Sequence, residues 1–218
     1  MKEAGKEKLP NKVVKWLDSP DSSTNHETAR KKYTEKTGKW FIDSNYFNRW
    51  KSGAIHSIWI KGIPGAGKTI LFSSAVETLK TTFAANKRKP FAYFYFDFND
   101  PNKRTVVQML RSILQQFCLC LGDIPKANLD LYKQCHSGNE RPMEGSILKA
   151  LQSLTSRPEQ YFILLDALDE CIERENLSEV ISEILQHNSI NLLITSREEN
   201  VFVDTFQDNI DMIPDLKG

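Results

Sequence analysis

Eight consecutive residues carry the plainest chemistry in this chain. Gly62-Ile63-Pro64-Gly65-Ala66-Gly67-Lys68-Thr69 fits the G-x-x-x-x-G-K-[ST] phosphate loop at every position. Its glycines let the backbone wrap an anion with N–H groups turned inward, and a helix starting near Gly67 adds the positive end of its dipole. Lys68 then bridges to the β- and γ-phosphates, where it can act in catalysis. The hydroxyl of Thr69 is placed to take one position on Mg²⁺, and Ile70 ends the cofactor-binding run as the helix continues. The ligand this predicts is a Mg-nucleotide, ATP or GTP.

A second group of candidates follows in "YFILLDALDEC", where four apolar residues, Phe162 to Leu165, lead into Asp166, Asp169 and Glu170. Asp166 falls where a buried strand reaches the carboxyl edge of its sheet, the place where open α/β sheets bind ligands, and is expected to hold Mg²⁺. Alone, the cluster reads equally well as a capped turn; the phosphate loop upstream favours the metal. Hydrolysis needs a group that orients water toward the γ-phosphate, and Asp169 and Glu170 are the two candidates so placed. The residues do not choose between them. A third segment, "INLLITSREEN", brings Thr195, Ser196 and Arg197 to the same edge. Arg197 there either reaches a γ-phosphate or caps a helical turn.

Such residues need strands and helices in alternation to converge, and the pattern from Ser57 onward provides them. "SIWI", "FAYFYFDF", "YFILLD" and "INLLITS" read as strands, and "NIDMI" as a short last one. Between them, "GKTILFSSAVETLKTTFA", "TVVQMLRSILQQFCLCL", "MEGSILKALQSL" and "LSEVISEILQ" carry apolar residues at helical spacing, with a polar break near "YKQCHSGNERP". Nearly continuous apolar strands require helices on both faces of a parallel sheet. The expected fold is therefore α/β, a three-layer P-loop NTPase of the RecA/ASCE kind with a mainly parallel five-stranded sheet. Residues 53–218 form this domain. Residues 1–52 form a partly helical N-terminal lead-in with a frayed, charged start and a loop at "DSPDSSTNH". Asp43 or Ser44 is a helix cap there, and Trp16, Trp40 and Trp50 are expected to pack on the core.

Bulk composition narrows the partners. Lys+Arg 29 against Asp+Glu 28 leaves the chain almost neutral, which gives no electrostatic case for nucleic acid or an anionic membrane. Its apolar runs fall far short of the ~20 residues that span a bilayer. The N-terminal stretch lacks the apolar region of a secretory signal, predicting a cytoplasmic protein. Cys118, Cys120, Cys135 and Cys171 show no zinc-ligand spacing and read as free thiols, with Cys118 and Cys120 on different faces of one helix.

Taken together, "GIPGAGKT", "FILLDALDEC" and "LLITSRE" resemble the NACHT domains of the signal-transduction ATPases, the NOD-like-receptor class. "WLDSPDSSTNH", "TGKWFIDSNYFNRWKSG" and "FAYFYFDFND" are similar to the fungal type, whose domain is also described as nephrocystin-three-like N-terminal. The resemblance runs from about Trp16 to about Arg197. It implies a molecular switch that binds Mg-ATP or Mg-GTP, hydrolyses it slowly, self-associates on NTP binding and acts in fungal non-self recognition or cell death. Position by position it implies phosphate binding by Gly62 to Thr69, Mg²⁺ on Asp166, hydrolysis supported by Asp169 or Glu170, and Arg197 as sensor. It also places Trp40 and Phe41 near the nucleoside, with plain packing as the equal alternative. The family's helical and winged-helix regions, its effector and its repeat arrays have no counterpart before Gly218, so a nucleotide-binding scaffold without turnover stands as an alternative. A P-loop small-molecule kinase is a third reading, but the arginine-rich lid it requires is not seen.

Overall fold

The computed structural model describes residues 9–34, 37–83, 89–122, 124–155 and 159–216. Four short helices come first: α1 (Leu9–Leu17), α2 (Ser23–Lys31), α3 (Lys39–Ile42) and α4 (Asn45–Ser52). Then follow β1 (Ser57–Gly62), α5 (Lys68–Phe83), β2 (Phe91–Tyr95), α6 (Val106–Leu121), α7 (Lys126–Gln134), α8 (Glu144–Thr155), β3 (Tyr161–Asp166), α9 (Arg174–Leu185), β4 (Ile190–Ser196), α10 (Asn200–Phe206) and β5 (Asp215–Leu216).

The strands form one parallel sheet in the order β2-β3-β4-β1-β5, so β4 is inserted between β1 and β3. Side chains of a strand alternate between faces, and here both faces are apolar. Ile163, Leu165, Leu192 and Ile194 pack on one side with α6, α8, α9 and α10, whereas Phe162, Leu164 and Leu193 pack on the other with α4 and α5. That double burial is why β3 and β4 read as unbroken apolar runs. The result is the three-layer α/β fold of a P-loop NTPase with a five-stranded sheet. Its parallel register sets Tyr95 beside Asp166 and Lys61 beside Ser196, bringing all the functional strand ends to one edge.

The lead-in is built into this body. Phe41, Phe47 and Trp50 are fully buried in the cluster beneath α5, with the Trp50 ring 5.2 Å from that of Phe162. Ser44 caps α4, its hydroxyl accepting the Phe47 N–H at 3.2 Å, and Gly53 ends that helix in the left-handed region at φ 86°. Trp16 lies edge-on to Tyr132, while Trp40 is 52% exposed and departs from the expectation that it packs inside. The frayed start falls on residues outside those described, except Leu9 and Pro10, which open α1.

Three local readings need correction. The stretch expected as a loop at "DSPDSSTNH" already turns into α2 at Ser23, because the Asp21 carboxylate accepts the Ser23 N–H at 2.8 Å and starts the turn. Helix α7 was not anticipated; Leu131 and Tyr132 anchor it, and the polar break begins only after it. The last strand lies at Asp215–Leu216 rather than within "NIDMI". Asp211 is occupied in accepting the N–H groups of His56 (2.7 Å) and Ser57 (2.8 Å), and only Met212 bridges to Ile58. Pro214 offers no N–H to a ladder, although its carbonyl accepts from Lys61 at 3.0 Å, so regular pairing starts after it.

Among the described residues no helix is long and apolar enough to cross a membrane. Cys118 is buried and Cys120 exposed, as opposite helix faces require. His136, adjacent to Cys135, pairs instead with Glu140 at 3.2 Å.

Candidate functional site

At the carboxyl edge of the sheet a cleft of about 690 Å³ opens, and the phosphate loop forms one of its walls. Two glycines of that loop are required for different reasons. A Cβ on Gly62 would lie 2.8 Å from the Leu216 carbonyl oxygen, so β5 demands the absence of a side chain there. Gly67 has φ 86° with open space around it; what it needs is backbone freedom alone. Pro64 to Ile70 line the cleft, whereas Gly62 and Ile63 contribute through their carbonyl groups. These accept from Lys68 Nζ at 2.6 and 3.0 Å. Burial lowers the pKa of Lys68, opposed by the negative charges of Asp169 and Asp166.

Asp166 ends β3 almost fully buried. Thr195 Oγ1, from β4, donates to its Oδ1 at 2.5 Å and accepts the Ala167 N–H at 3.1 Å. Burial pushes the Asp166 carboxyl up to about 6; hydrogen bonds from Thr195 and Thr69 hold it down, and Glu170 and Asp169 push it further up. A buried carboxylate and a threonine hydroxyl in mutual contact form a pair of hard oxygen donors, the kind Mg²⁺ prefers. Ala167 then takes φ 57°, an unusual conformation for a residue with a Cβ, which turns the chain sharply toward the two remaining acids.

Those acids have separate surroundings. Asp169 is buried and fully engaged: its Oδ1 accepts the Arg197 N–H at 2.9 Å and its Oδ2 faces Arg197 Nε at 3.1 Å. Its backbone carbonyl also accepts from Arg174 Nε at 3.0 Å. Glu170 is half-buried in the cleft, where one oxygen accepts the Phe98 N–H at 2.9 Å. Burial raises its pKa, that hydrogen bond opposes the rise, and Asp169 and Asp97 add to it. The cleft thus brings together Lys68, Thr69, Asp166, Asp169, Glu170 and Arg197. Trp40 and Phe41 do not line it; Phe41 is core.

The rest of the lining comes from segments to which sequence reasoning gave no role in the site. Helix α2 contributes Thr24, Asn25, Thr28 and Ala29, its C-cap residue adds Lys32, and the chain after β2 contributes Asp97, Asn99, Asp100 and Lys103. Asn25 Nδ2 donates to Asp97 at 2.8 Å, and the almost fully buried Lys103 donates to Thr24 Oγ1 at 2.9 Å and Asn25 Oδ1 at 2.5 Å. On the same helix the buried His26 joins Tyr95 Oη (2.8 Å) to Glu77 (2.7 Å). The only sequence signal was a polar recurrence at every fourth position, Thr24, Thr28 and Lys32, hidden by loop-like composition.

Comparison with solved structures finds loose likenesses. A chain in the structure of Drosophila ORC bound to AT-rich DNA and Cdc6 is 13% identical with a TM-score of 0.45, covering 88% of this chain and 57% of that one. For the Aeropyrum pernix ORC1 protein in complex with DNA the values are 13% and 0.46, with 82% and 48% covered. For C. elegans PCH-2 they are 16% and 0.40, with 97% and 43% covered. This chain therefore spans about half the length of each. No curated protein matches it. A family model described as Nephrocystin 3, N-terminal matches residues 36–197, well over half of the chain, taking in the phosphate loop and the strand ends at Asp166 and Ser196. The chain belongs to that family.

Proposed function

We propose that the cleft binds a nucleoside triphosphate with Mg²⁺ and hydrolyses it slowly. The observation that carries this reading is the convergence, in one cleft, of a phosphate loop, the exposed Thr69 hydroxyl bonded to the buried Asp166 carboxyl, and a Glu170 carboxylate held by a single N–H. Thr69 and Asp166 would hold Mg²⁺, which when bound neutralises charge on the phosphates. The loop's N–H groups and Lys68 bind and orient the phosphate chain. Glu170 is the acid placed to accept a proton from water, because Asp169 has both oxygens committed to Arg197. Asp169 instead holds Arg197 at the cleft, where the guanidinium can meet a γ-phosphate.

The finer reading is a NACHT-type signalling switch. It rests on the "DALDE" and "TSRE" segments, and the choice between ATP and GTP, self-association and a fungal cell-death role belong to it. Nucleotide content and phosphate release of the purified chain test the core of the proposal. Binding lost in Lys68→Ala, and release lost with binding kept in Glu170→Gln, is the expected result. An unmutated chain that binds Mg-nucleotide but releases no phosphate would remove the hydrolysis step and leave a binding module.

A further inference from the structure

Among the described residues four cations line the cleft, and three have their charge engaged. Lys68 Nζ rests on the carbonyls of Gly62 and Ile63, Lys103 on Thr24, Asn25 and Asp100 (3.4 Å), and Arg197 on Asp169. The fourth, Lys32, has neither an ion pair nor a side-chain hydrogen bond among the described residues, and it is exposed to the same space as the phosphate loop. Its position is not accidental to the fold. Thr24, Thr28 and Lys32 recur at every fourth position and so share one face, turned to the cleft. The rest of α2 is fastened through His26 to Tyr95 and Glu77, and through Arg30 to Ser74 at 3.4 Å. The backbone that delivers Lys32 is therefore held in place before any ligand arrives, which lowers the entropy lost on contact.

We propose that Lys32 is a phosphate-binding residue of the nucleotide site, reaching the phosphate chain from the C-terminal end of α2. The proposal rests on the nucleotide reading above and adds to it a contact from outside the family-matched segment, residues 36–197. An unpaired ammonium facing an anion cradle is the group a polyphosphate neutralises best, and a carboxylate ligand would not need the loop. Because Lys32 is exposed, its contribution is modest, about fivefold in affinity.

The test is equilibrium titration of the full chain with a fluorescent ribose-labelled ATP and Mg²⁺, for the unmutated protein and for Lys32→Arg, Lys32→Ala, Lys32→Glu and the neighbouring Lys31→Ala. Binding is expected to follow charge: Lys32→Arg and Lys31→Ala close to unmutated, Lys32→Ala about fivefold weaker, Lys32→Glu weaker again. Thermal midpoints should be unchanged across the series. Lys32→Ala and Lys32→Glu both within twofold of the unmutated chain would overturn the proposal while leaving the nucleotide site intact. An unmutated chain that fails to bind the label, or binding that survives Lys68→Ala, would overturn the nucleotide reading and this inference with it.

Discussion

The phosphate-loop wall and the α2 wall of the cleft hold their polar groups by different means. The first is made of one contiguous stretch, Pro64 to Ile70, placed by a strand, a tight turn and a helix that follow one another in sequence. The second is made of side chains from distant segments, joined by Asn25–Asp97, Lys103–Thr24 and His26–Tyr95 contacts that span 69 to 79 positions of chain. A wall built from local backbone is robust to most substitutions and fixed by a few glycines. A wall built from side-chain hydrogen bonds, part-buried at Asn25 and Thr24 and buried at His26, depends on each partner.

The largest effect that sharpens this contrast is expected on the loop side. Lys68→Ala should weaken Mg-nucleotide binding by roughly a hundredfold or more with the fold retained, because it removes a charge-assisted contact while the backbone turn stays. Equilibrium binding beside a thermal melt checks both halves. Next come the two acids. Glu170→Gln should abolish phosphate release with nucleotide affinity unchanged, whereas Asp169→Asn should lower both, because Arg197 loses the carboxylate that positions it. Equal behaviour of the two variants would contradict their separate roles.

On the α2 side, Lys103→Met should cost about 1 kcal/mol of stability, measured by urea unfolding, since the part-buried hydrogen bonds to Asn25 Oδ1 and Thr24 Oγ1 are lost. His26 provides a pH test of the same wall. Burial lowers its pKa below the ordinary 6.5, Lys80 and Arg30 act in the same direction, and Glu77 opposes them. The folded chain therefore takes up the proton less readily than the unfolded one. The stability that neutral His26 contributes is present above about pH 6.5 and is lost as the pH falls below it. The stability difference between the unmutated chain and His26→Gln should shrink from pH 7.5 to pH 5.5; a constant difference would detach His26 from this role. The smallest effect is expected at Ala167, where glycine should relieve the left-handed strain and add about 0.5 kcal/mol.

The same contrast explains what the sequence made legible. The phosphate loop is a contiguous run whose residue types are each required by backbone chemistry, so spacing alone exposed Gly62 to Thr69. Asp166 was readable because a buried strand must end somewhere, and an acid at its carboxyl end is conspicuous. The different surroundings of Asp169 and Glu170 were not, since they depend on β3 and β4 pairing in register so that Arg197 meets Asp169. Helix α2 stayed hidden for a related reason. Its composition is that of a loop, and only the partners His26, Asn25 and Thr24 find after folding show which face looks inward.

The central claim is that this cleft holds a Mg-nucleotide on the phosphate loop. The most direct measurement is isothermal titration of the purified chain with non-hydrolysable ATP and GTP analogues, with and without Mg²⁺, alongside Lys68→Ala and Asp166→Asn. One site per chain is expected, lost in Lys68→Ala and without Mg²⁺ dependence in Asp166→Asn. No heat with either analogue, or binding unaffected by both substitutions, would contradict it.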